Sequence, residues 1–535
     1  MPTFAELKNK YMFTGSITQP SGSSGGLSPT PPTSMSIPIF TQSEVTPLIN
    51  GPRYFAELKA KLNALDTTKN AFFYIHGWWF GENFSFDGAA SPNAATDLLK
   101  KRSADGVDVR VMGWVAPPEL MNSSLVSSVG GAVMGILGLN NQTMKFIQKL
   151  RTEPTMAHKA VCNILSHPAG AAHLKMCVLG DDDQAWSYTG GIDLQGGRHS
   201  AAWEDVQVKT TGPGARGVYN YYRDLWQETR GRNVVSLVNP APGGITMNSH
   251  TSSMPSLSAR SIGSTTTGKL HVQSGRTLPQ YRFASGIIDS AIVPTNDPLS
   301  FAPNGMFGIK AMWHKGISGG ETYIYIEDQA FWSAEVSDWL NAQIKANSSL
   351  KVILVTGRWD PNDPHNPLNF RLRSVSINNH LLAGLTSAQM DRICLVSHQA
   401  KTIHAKTTIV DDHWGLIGSA NYMRRSLYSD IEGSYGFMDE DATVVSGYRQ
   451  ELWDFHFGAP EPDLTAAIDR WFALPTTTAG LNNLLRLTLP LPPVSLTASE
   501  QRIVDEVQDF DSRRVWGADL LSLALEAGST AISSP

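Results

Sequence analysis

Cysteine is scarce: the three in 535 residues, Cys162, Cys177 and Cys394, are scattered among apolar neighbours and read as buried free thiols. A disulfide framework and a cysteine-ligated zinc site are thereby excluded, and no oxidising compartment is demanded. Charge is modest as well. At 17% Asp, Glu, Lys and Arg with a formal net charge of -5, the chain has no sequence-wide basic field, so no nucleic-acid partner is expected. The opening MPTFAELKNKYMFTG has no basic region followed by an apolar core, and so lacks a Sec-type signal. The expectation is a protein cytoplasmic in the producing cell, with signal-independent export or peripheral membrane association left open. Long apolar runs are missing too. LVSSVGGAVMGILGL at 125–139, 15 residues with four glycines, falls short of the roughly 20 needed to span a bilayer. A helix packed closely through small residues is the simpler reading, and a surface that dips into a membrane the sharper one.

What is present is enough apolar material, 41% of the residues, to build more than one core. The length suits two similar halves of roughly 200 residues each. Residues 1–46 form a lead-in, flexible because 16–39 is dominated by Ser, Gly, Pro and Thr. A first half follows at 47–238, a Ser/Thr-rich linker or loop at 239–275, a second half at 276–460, and a C-terminal extension at 461–535 with an amphipathic stretch at 499–510. In the first half, helix patterns at 54–65 and 94–104 alternate with strand patterns at 71–75 and 107–112. The second half repeats the alternation with a strand in YIYIEDQAFW (323–332), a helix at 333–345 and a strand at 351–356. Such alternation predicts an α/β fold of two mixed or mostly parallel sheets.

Chemistry concentrates in TIHAKTTIVDDHWGLIGSANYMRRSLYSDIE, from Thr402 to Glu432, where His404, Lys406 and Asp411 stand in an H-x-K-x4-D arrangement ahead of Gly418, Ser419 and Asn421. On a strand, His404 and Lys406 project from one face while Ile403 and Ala405 point the other way. An imidazole able to attack or donate a proton, beside a fixed ammonium, suits a phosphodiester, whose transferred group is negative throughout the reaction. A second copy lies upstream as HLKMCVLGDDDQAWSYTGGIDL. It places His173 and Lys175 two apart, then Gly190, Gly191 and Asp193 where the other copy has Gly418, Ser419 and Asn421. Five residues beyond Lys175 stands Gly180, followed by Asp181, Asp182 and Asp183. Aligning Trp186 with Trp414 implies three extra residues and sets Asp183 opposite Asp411, so Asp181 and Asp183 are both candidates for the first-motif acid.

These paired stretches, with IGSAN, RSL and the later Glu432, resemble the two catalytic motifs of the phospholipase D superfamily. The strand ending in His76-Gly-Trp-Trp, the segment 190–214 and the YIYIEDQAFW block resemble its eukaryotic-like branch and related bacterial lipase effectors. The resemblance covers most of 47–460 and implies two halves about a pseudo-twofold axis, with both motifs at one active site. It further implies that His173 attacks phosphorus to give a phosphohistidine while His404 serves as acid and base. Lys175 and Lys406, helped by Asn421, Ser419 and the corresponding Asp193, would hold the phosphoryl oxygens. Asp205 would orient His173, and Glu432, with Asp430 as fallback, would orient His404; Asp411 would support its motif. For His76, a hydrogen-bonded strand-end histidine is favoured over a substrate contact.

The implied reaction releases a head-group alcohol from a glycerophospholipid at a membrane surface, leaving phosphatidic acid, with water or a small alcohol as acceptor. No cofactor or metal is expected, and a monomer is favoured because both motifs share one chain. Rival readings are a nuclease or other nucleic-acid phosphodiesterase, a cardiolipin-synthase-like transferase, and a lipid-binding pseudoenzyme.

Overall fold

The computed structural model describes residues 2–15, 36–88, 94–115, 130–163, 165, 171–229, 253–256, 262, 268–279, 299–303, 305–358, 367–478, 480 and 483–494. Strands of the first half are β1 (Ile39–Ile49), β2 (Phe72–Gly77), β3 (Asp108–Trp114), β4 (Ala160–Asn163), β5 (Met176–Gly180), β6 (Ala185–Gly190), β7 (Trp203–Glu204) and β8 (Val206–Thr211). The second half contributes β9 (Leu270–Leu278), β10 (Met306–Phe307), β11 (Tyr323–Asp328), β12 (Lys351–Thr356), β13 (Ile393–His398), β14 (Thr402–Ile403), β15 (Lys406–Val410), β16 (Trp414–Gly418), β17 (Glu432–Met438) and β18 (Leu484–Arg486).

The two halves share one 16-stranded sheet, ordered β18-β13-β12-β11-β15-β16-β17-β9-β1-β8-β6-β5-β2-β3-β4, with β10 on β9. Read outward from the antiparallel β1/β9 pair, each side repeats the same pattern: three antiparallel neighbours, a further antiparallel partner, then two parallel strands. That repetition about an antiparallel junction is the pseudo-twofold arrangement, and the class is α/β with a mixed sheet. Strands such as β2, FFYIHG, and β12, KVILVT, read as nearly unbroken apolar runs because both of their faces are covered.

One face of the sheet carries a core that runs across both halves, roofed by the helices at Ala215–Thr229 and Thr443–Phe457. The first of these helices buries Val218, Tyr219, Tyr222, Leu225 and Trp226 at helical spacing. On the other face the core is divided. The helix Gly51–Ala64 covers the first half, and the helices Gly308–Ser318 and Ala334–Ala346 cover the second. Each buried Leu or Phe on these faces contributes about 1.5–3 kcal/mol of transfer free energy, so one continuous core resists separation of the halves.

Several boundaries differ from those read in the sequence. The lead-in holds a capped helix, Phe4–Tyr11, whose Leu7 and Tyr11 pack into the second half's core, and β1 begins at Ile39 rather than near Pro47. The linker ends early because Leu270–Leu278 is the strand that joins the halves: Ser, Gly and Thr obscure its alternation, and pairing with β1 on one side and β17 on the other holds it in place despite the weak strand preference of glycine. Part of the extension, the helix Leu464–Phe472 and β18, completes the far edge of the sheet beside β13. The stretch 499–510 lies outside the described residues. So do residues 125–129, while Gly130–Arg151 is a single helix; among the described residues, no helix is long and apolar enough to cross a membrane.

Candidate active site

Neither H-x-K motif is a continuous strand. His404 sits in a break between β14 and β15, and His173 precedes β5, because both segments leave their own sheet to run beside the other half. The backbone of Leu174 donates to Ile431 O at 3.1 Å and that of Ile431 to Ala171 O at 2.8 Å. In the mirrored contact, β14 pairs in parallel with β7, and His404 N donates to Glu204 O at 2.7 Å.

This exchange decides which carboxylate meets which ring, and it reverses the sequence expectation. His173 Nδ1 lies 3.0 Å from Glu432 Oε1, and His404 Nδ1 lies 2.6 Å from Asp205 Oδ2. Each histidine is oriented by the opposite half. The carboxylates fix Nδ1 as the protonated nitrogen and leave Nε2 for chemistry. Asp430, the fallback, instead pairs with Arg425 at 2.7 Å and accepts from Ala171 N at 2.7 Å, which fixes the strand exchange itself.

Both imidazoles are 1% exposed. Burial, then the positive charges of Lys406, Arg198 and Lys175, with that of His173 when its ring is protonated, hold His404 well below its ordinary range, so the three fixed cations share one field with it. Burial raises Asp205 to about 6 against the pull of Lys406 and Arg198. Burial also works to raise Glu432, but the His173 charge and hydrogen bond, then Lys175 and Ser419, outweigh it and hold this carboxyl below its usual value. The two dyads are therefore electrostatically unequal.

The lysines donate to the carbonyls of their own histidines, Lys175 Nζ to His173 O at 2.8 Å and Lys406 to His404 O. Among the described residues, Asn421 Nδ2 and Oδ1 are both buried without a hydrogen-bond partner, the state expected of an amide that serves a ligand. Ser419 is not such a group: its hydroxyl donates to Glu432, as does Ser426 at 2.7 Å, so both serve the carboxylate rather than a phosphoryl oxygen. Nor is Asp193, whose Oδ1 accepts from Trp79 N at 3.0 Å and whose Oδ2 lies 3.6 Å from Lys175. A second anion there balances the ammonium and would repel phosphate.

The motif aspartates stand elsewhere. Sheet register sets Trp186 opposite Leu179 and Trp414 opposite Val410, so the three extra residues fall in the β5–β6 turn and Gly180 takes the place of Asp411. Asp181 accepts from Asp183 N and Gln184 N and shapes that turn, while exposed Asp183 meets Lys69 at 2.6 Å. Asp411, at the far end of β15 and roughly 16 Å along the strand from Lys406, accepts from the amides of Glu321, Thr322 and Tyr323 at 2.8–2.9 Å and from Tyr11 Oη at 2.9 Å. It clamps the start of β11 and the Tyr11 hydroxyl to the β15–β16 turn.

Other residues enter that the motifs did not mark. Trp78 meets His173 edge-on at 5.4 Å, and Trp203 lies 4.9 Å from His404 with the Arg198 guanidinium stacked 3.5 Å above it. Asp328, opposite Lys406 in register, accepts from Tyr422 N at 3.1 Å and so steadies the Asn421 turn; burial raises its carboxyl to about 6 against the Lys406 charge. The acidic end of YIYIED was its only sequence signal. His76 donates to Leu174 O at 3.0 Å and accepts from Asn163 Nδ2 at 2.8 Å; burial lowers it to about 3, and as a neutral ring it props the backbone between His173 and Lys175.

Residues 316–455 match the family model described as cardiolipin synthase, PLD-like domain. Over this segment the chain is similar to the phospholipase D-like domain. The match spans the second motif, and the sheet register carries the equivalence to the first. A search among curated proteins finds no sequence match. Among solved structures, phosphatidylserine synthase of Haemophilus influenzae Rd KW20 is similar at 13% identity and a TM-score of 0.48, over 78% of this chain and 87% of that one. Polyphosphate kinase of Porphyromonas gingivalis is similar at 11% identity and a TM-score of 0.40, over 77% of this chain and 50% of that one.

Proposed function

We propose that the protein cleaves the distal phosphodiester of glycerophospholipids through a phosphohistidine and passes the phosphatidyl group to water or to an alcohol. The observation that carries this reading is the pair of buried imidazoles, each held at Nδ1 by a carboxylate of the opposite half, within one cationic field. His173 Nε2 attacks phosphorus while its Nδ1 keeps its proton, donated in a hydrogen bond to Glu432, whose charge offsets the one that develops on the ring. The bond from phosphorus to the head-group oxygen breaks, and His404 Nε2 gives that oxygen its proton. In the second step His404 takes a proton from water or alcohol, the new oxygen attacks phosphorus, and His173 leaves.

His404's depressed basicity makes it a ready donor. An anionic diester entering among Lys175, Lys406 and Arg198 offsets the field that depresses it and lets it hold the proton to be given. Proton transfer of this kind supplies about 10²- to 10⁴-fold, and the cations with Asn421 stabilise the charge on the phosphoryl oxygens. A lipid rather than a nucleic acid is supported by the matched family's description and by the modest charge of the chain. The same description favours transfer to a lipid alcohol as a second outcome of the same intermediate.

The test is purified protein on vesicles of phosphatidylcholine or phosphatidylethanolamine and on single-stranded DNA, with and without a primary alcohol. Phosphatidic acid, diverted to a phosphatidyl alcohol when alcohol is added, is the expected product. Cleavage of DNA alone would overturn the lipid reading, and water-only product at high alcohol would remove the transferase. On a soluble diester, EDTA should leave turnover unchanged.

A further inference from the structure

One residue from Asp205, on the other side of β7, the Glu204 side chain is fully buried and belongs to a cluster the proposed reaction does not use. Its Oε1 lies 3.1 Å from His456 Nε2 and its Oε2 lies 3.6 Å from Lys401 Nζ. The Glu327 carboxylate bears electrostatically on it, and Tyr325 Oη, which donates to Glu327 at 3.0 Å, also meets His456 Nε2 at 3.2 Å. His398 closes the group: ligand atoms of Glu204, His398 and His456 lie within 4.8 Å of one another. Glu204 comes from the first half and every other member from the second.

The grouping has the outline of a metal site, but its donors do not suit one. His398 Nδ1 accepts from the amides of Ala400 and Lys401 at 3.3 and 3.1 Å, so Nδ1 is already engaged and the ring proton sits on Nε2. A metal-bound histidine needs the reverse, a bare nitrogen towards the metal and an N–H donated outward. The Lys401 ammonium beside Glu204 also already supplies a cation. Two buried carboxylates against one ammonium leave an excess negative charge, which a shared proton removes.

We propose that Glu204 is a positioning residue for His404: gripped from the second half by His456, Lys401 and Glu327, it holds β7 against β14 and so keeps Asp205 on the imidazole. Its backbone carbonyl accepts His404 N directly, and the next residue supplies the orienting carboxylate. Burial and the Glu327 charge raise Glu204 to about 8, and burial raises Glu327 to about 7, with Lys401 opposing both. The facing groups are thus Glu327 and Tyr325 of β11, His398 and Lys401 at the end of β13, His456 and Tyr448 of the Thr443–Phe457 helix, and Asp205 beside Glu204. With both acids raised, the shared proton is present at neutral pH and lost as pH rises through about 7 to 8, when repulsion loosens the grip.

The catalytic consequence rests on the proposed phosphodiesterase reading, so the test has one arm that needs no substrate. In full-length protein, Glu204→Ala should lower kcat at pH 7 by about tenfold with KM unchanged, as expected for an orienting partner one step removed from a reacting group. Glu204→Gln, which keeps a neutral hydrogen-bonding group, should retain wild-type kcat at pH 7 and lose the decline the wild type shows above pH 8. The substrate-free arm follows the low-field proton resonance of the Asp205–His404 bond, assigned by its loss in Asp205→Asn. It should broaden above pH 8 in the wild type and persist in Glu204→Gln. A Glu204→Gln protein as impaired as Glu204→Ala, or one whose alkaline behaviour matches the wild type in both arms, would overturn the proposal. So would a stoichiometric divalent metal in the purified protein that Glu204→Ala loses. Should Glu204→Ala fail to fold, the comparison of Glu204→Gln with the wild type still decides. Absence of lipid turnover in the wild type would count against the phosphodiesterase alone.

Discussion

At the scale of single residues, the crossing of the two dyads separates the steps of the reaction. With a diester whose leaving group needs no proton, such as a nitrophenolate, Asp205→Asn should still form the phosphoenzyme on His173 and release a burst of nitrophenol, because only His404 is disturbed. Glu432→Gln should give no burst. The opposite pattern would match the pairing of carboxylate and histidine within one half. His173→Ala and His404→Ala should each abolish lipid turnover with the fold intact, and a brief reaction quenched at alkaline pH should place phosphate on the peptide carrying His173. An acid limb in kcat/KM is expected near pH 6, where Asp205, raised by burial, gains its proton and no longer offsets charge on His404. Activity is present above that pH and lost below it, and the limb should vanish in Asp205→Asn, leaving a lower, flatter profile. His173, Lys175, His404 and Lys406 stand out because a spacing of two is local, whereas Asp205 and Glu432 are named only through the resemblance. The pairing was not legible in the sequence, because which carboxylate faces which ring depends on the exchange of 171–174 and 402–404 between halves.

At the scale of elements, most strands and helices were visible in the apolar period, and the strand at Lys351–Thr356 falls where the sequence placed it. Those that escaped took their stability from neighbours: β9 is polar in sequence and central in space, and the Phe4–Tyr11 helix is short and gains its hold from the second half's core. Asp411 shows why a motif can mislead about role. Its carboxylate ties the start of β11 and the Tyr11 hydroxyl to the β15–β16 turn, with Asp411 itself at a positive φ of 52°. Asp411→Ala should therefore cost about 2–3 kcal/mol in denaturant unfolding, since several amides lose their acceptor, while kcat stays at the wild-type value. A fall in kcat without a fall in stability would return Asp411 to the reaction.

At the scale of the whole molecule, the continuous sheet and the core beneath Ala215–Thr229 and Thr443–Phe457 make the halves one cooperative unit. Residues 1–238 and 268–535 produced as separate chains should each lack ordered dyads and turnover, and mixing during refolding should restore both. Activity in either piece alone would show that one half can build a site by itself. The way the halves meet also carries a historical meaning. The β1/β9 pairing and the mutual exchange of segments have the geometry of an isologous dimer interface, in which each subunit lends its carboxylate to the other's histidine. In a dimer of identical chains any substitution would strike both dyads at once, and the attacking and protonating histidines could never differ. Joined in one chain, the copies are free to drift apart: Asp205 against Glu432, Gly191 against Ser419, Asp193 against Asn421. Fusion thus converts a symmetry that forbids division of labour into one that merely aligns two specialists.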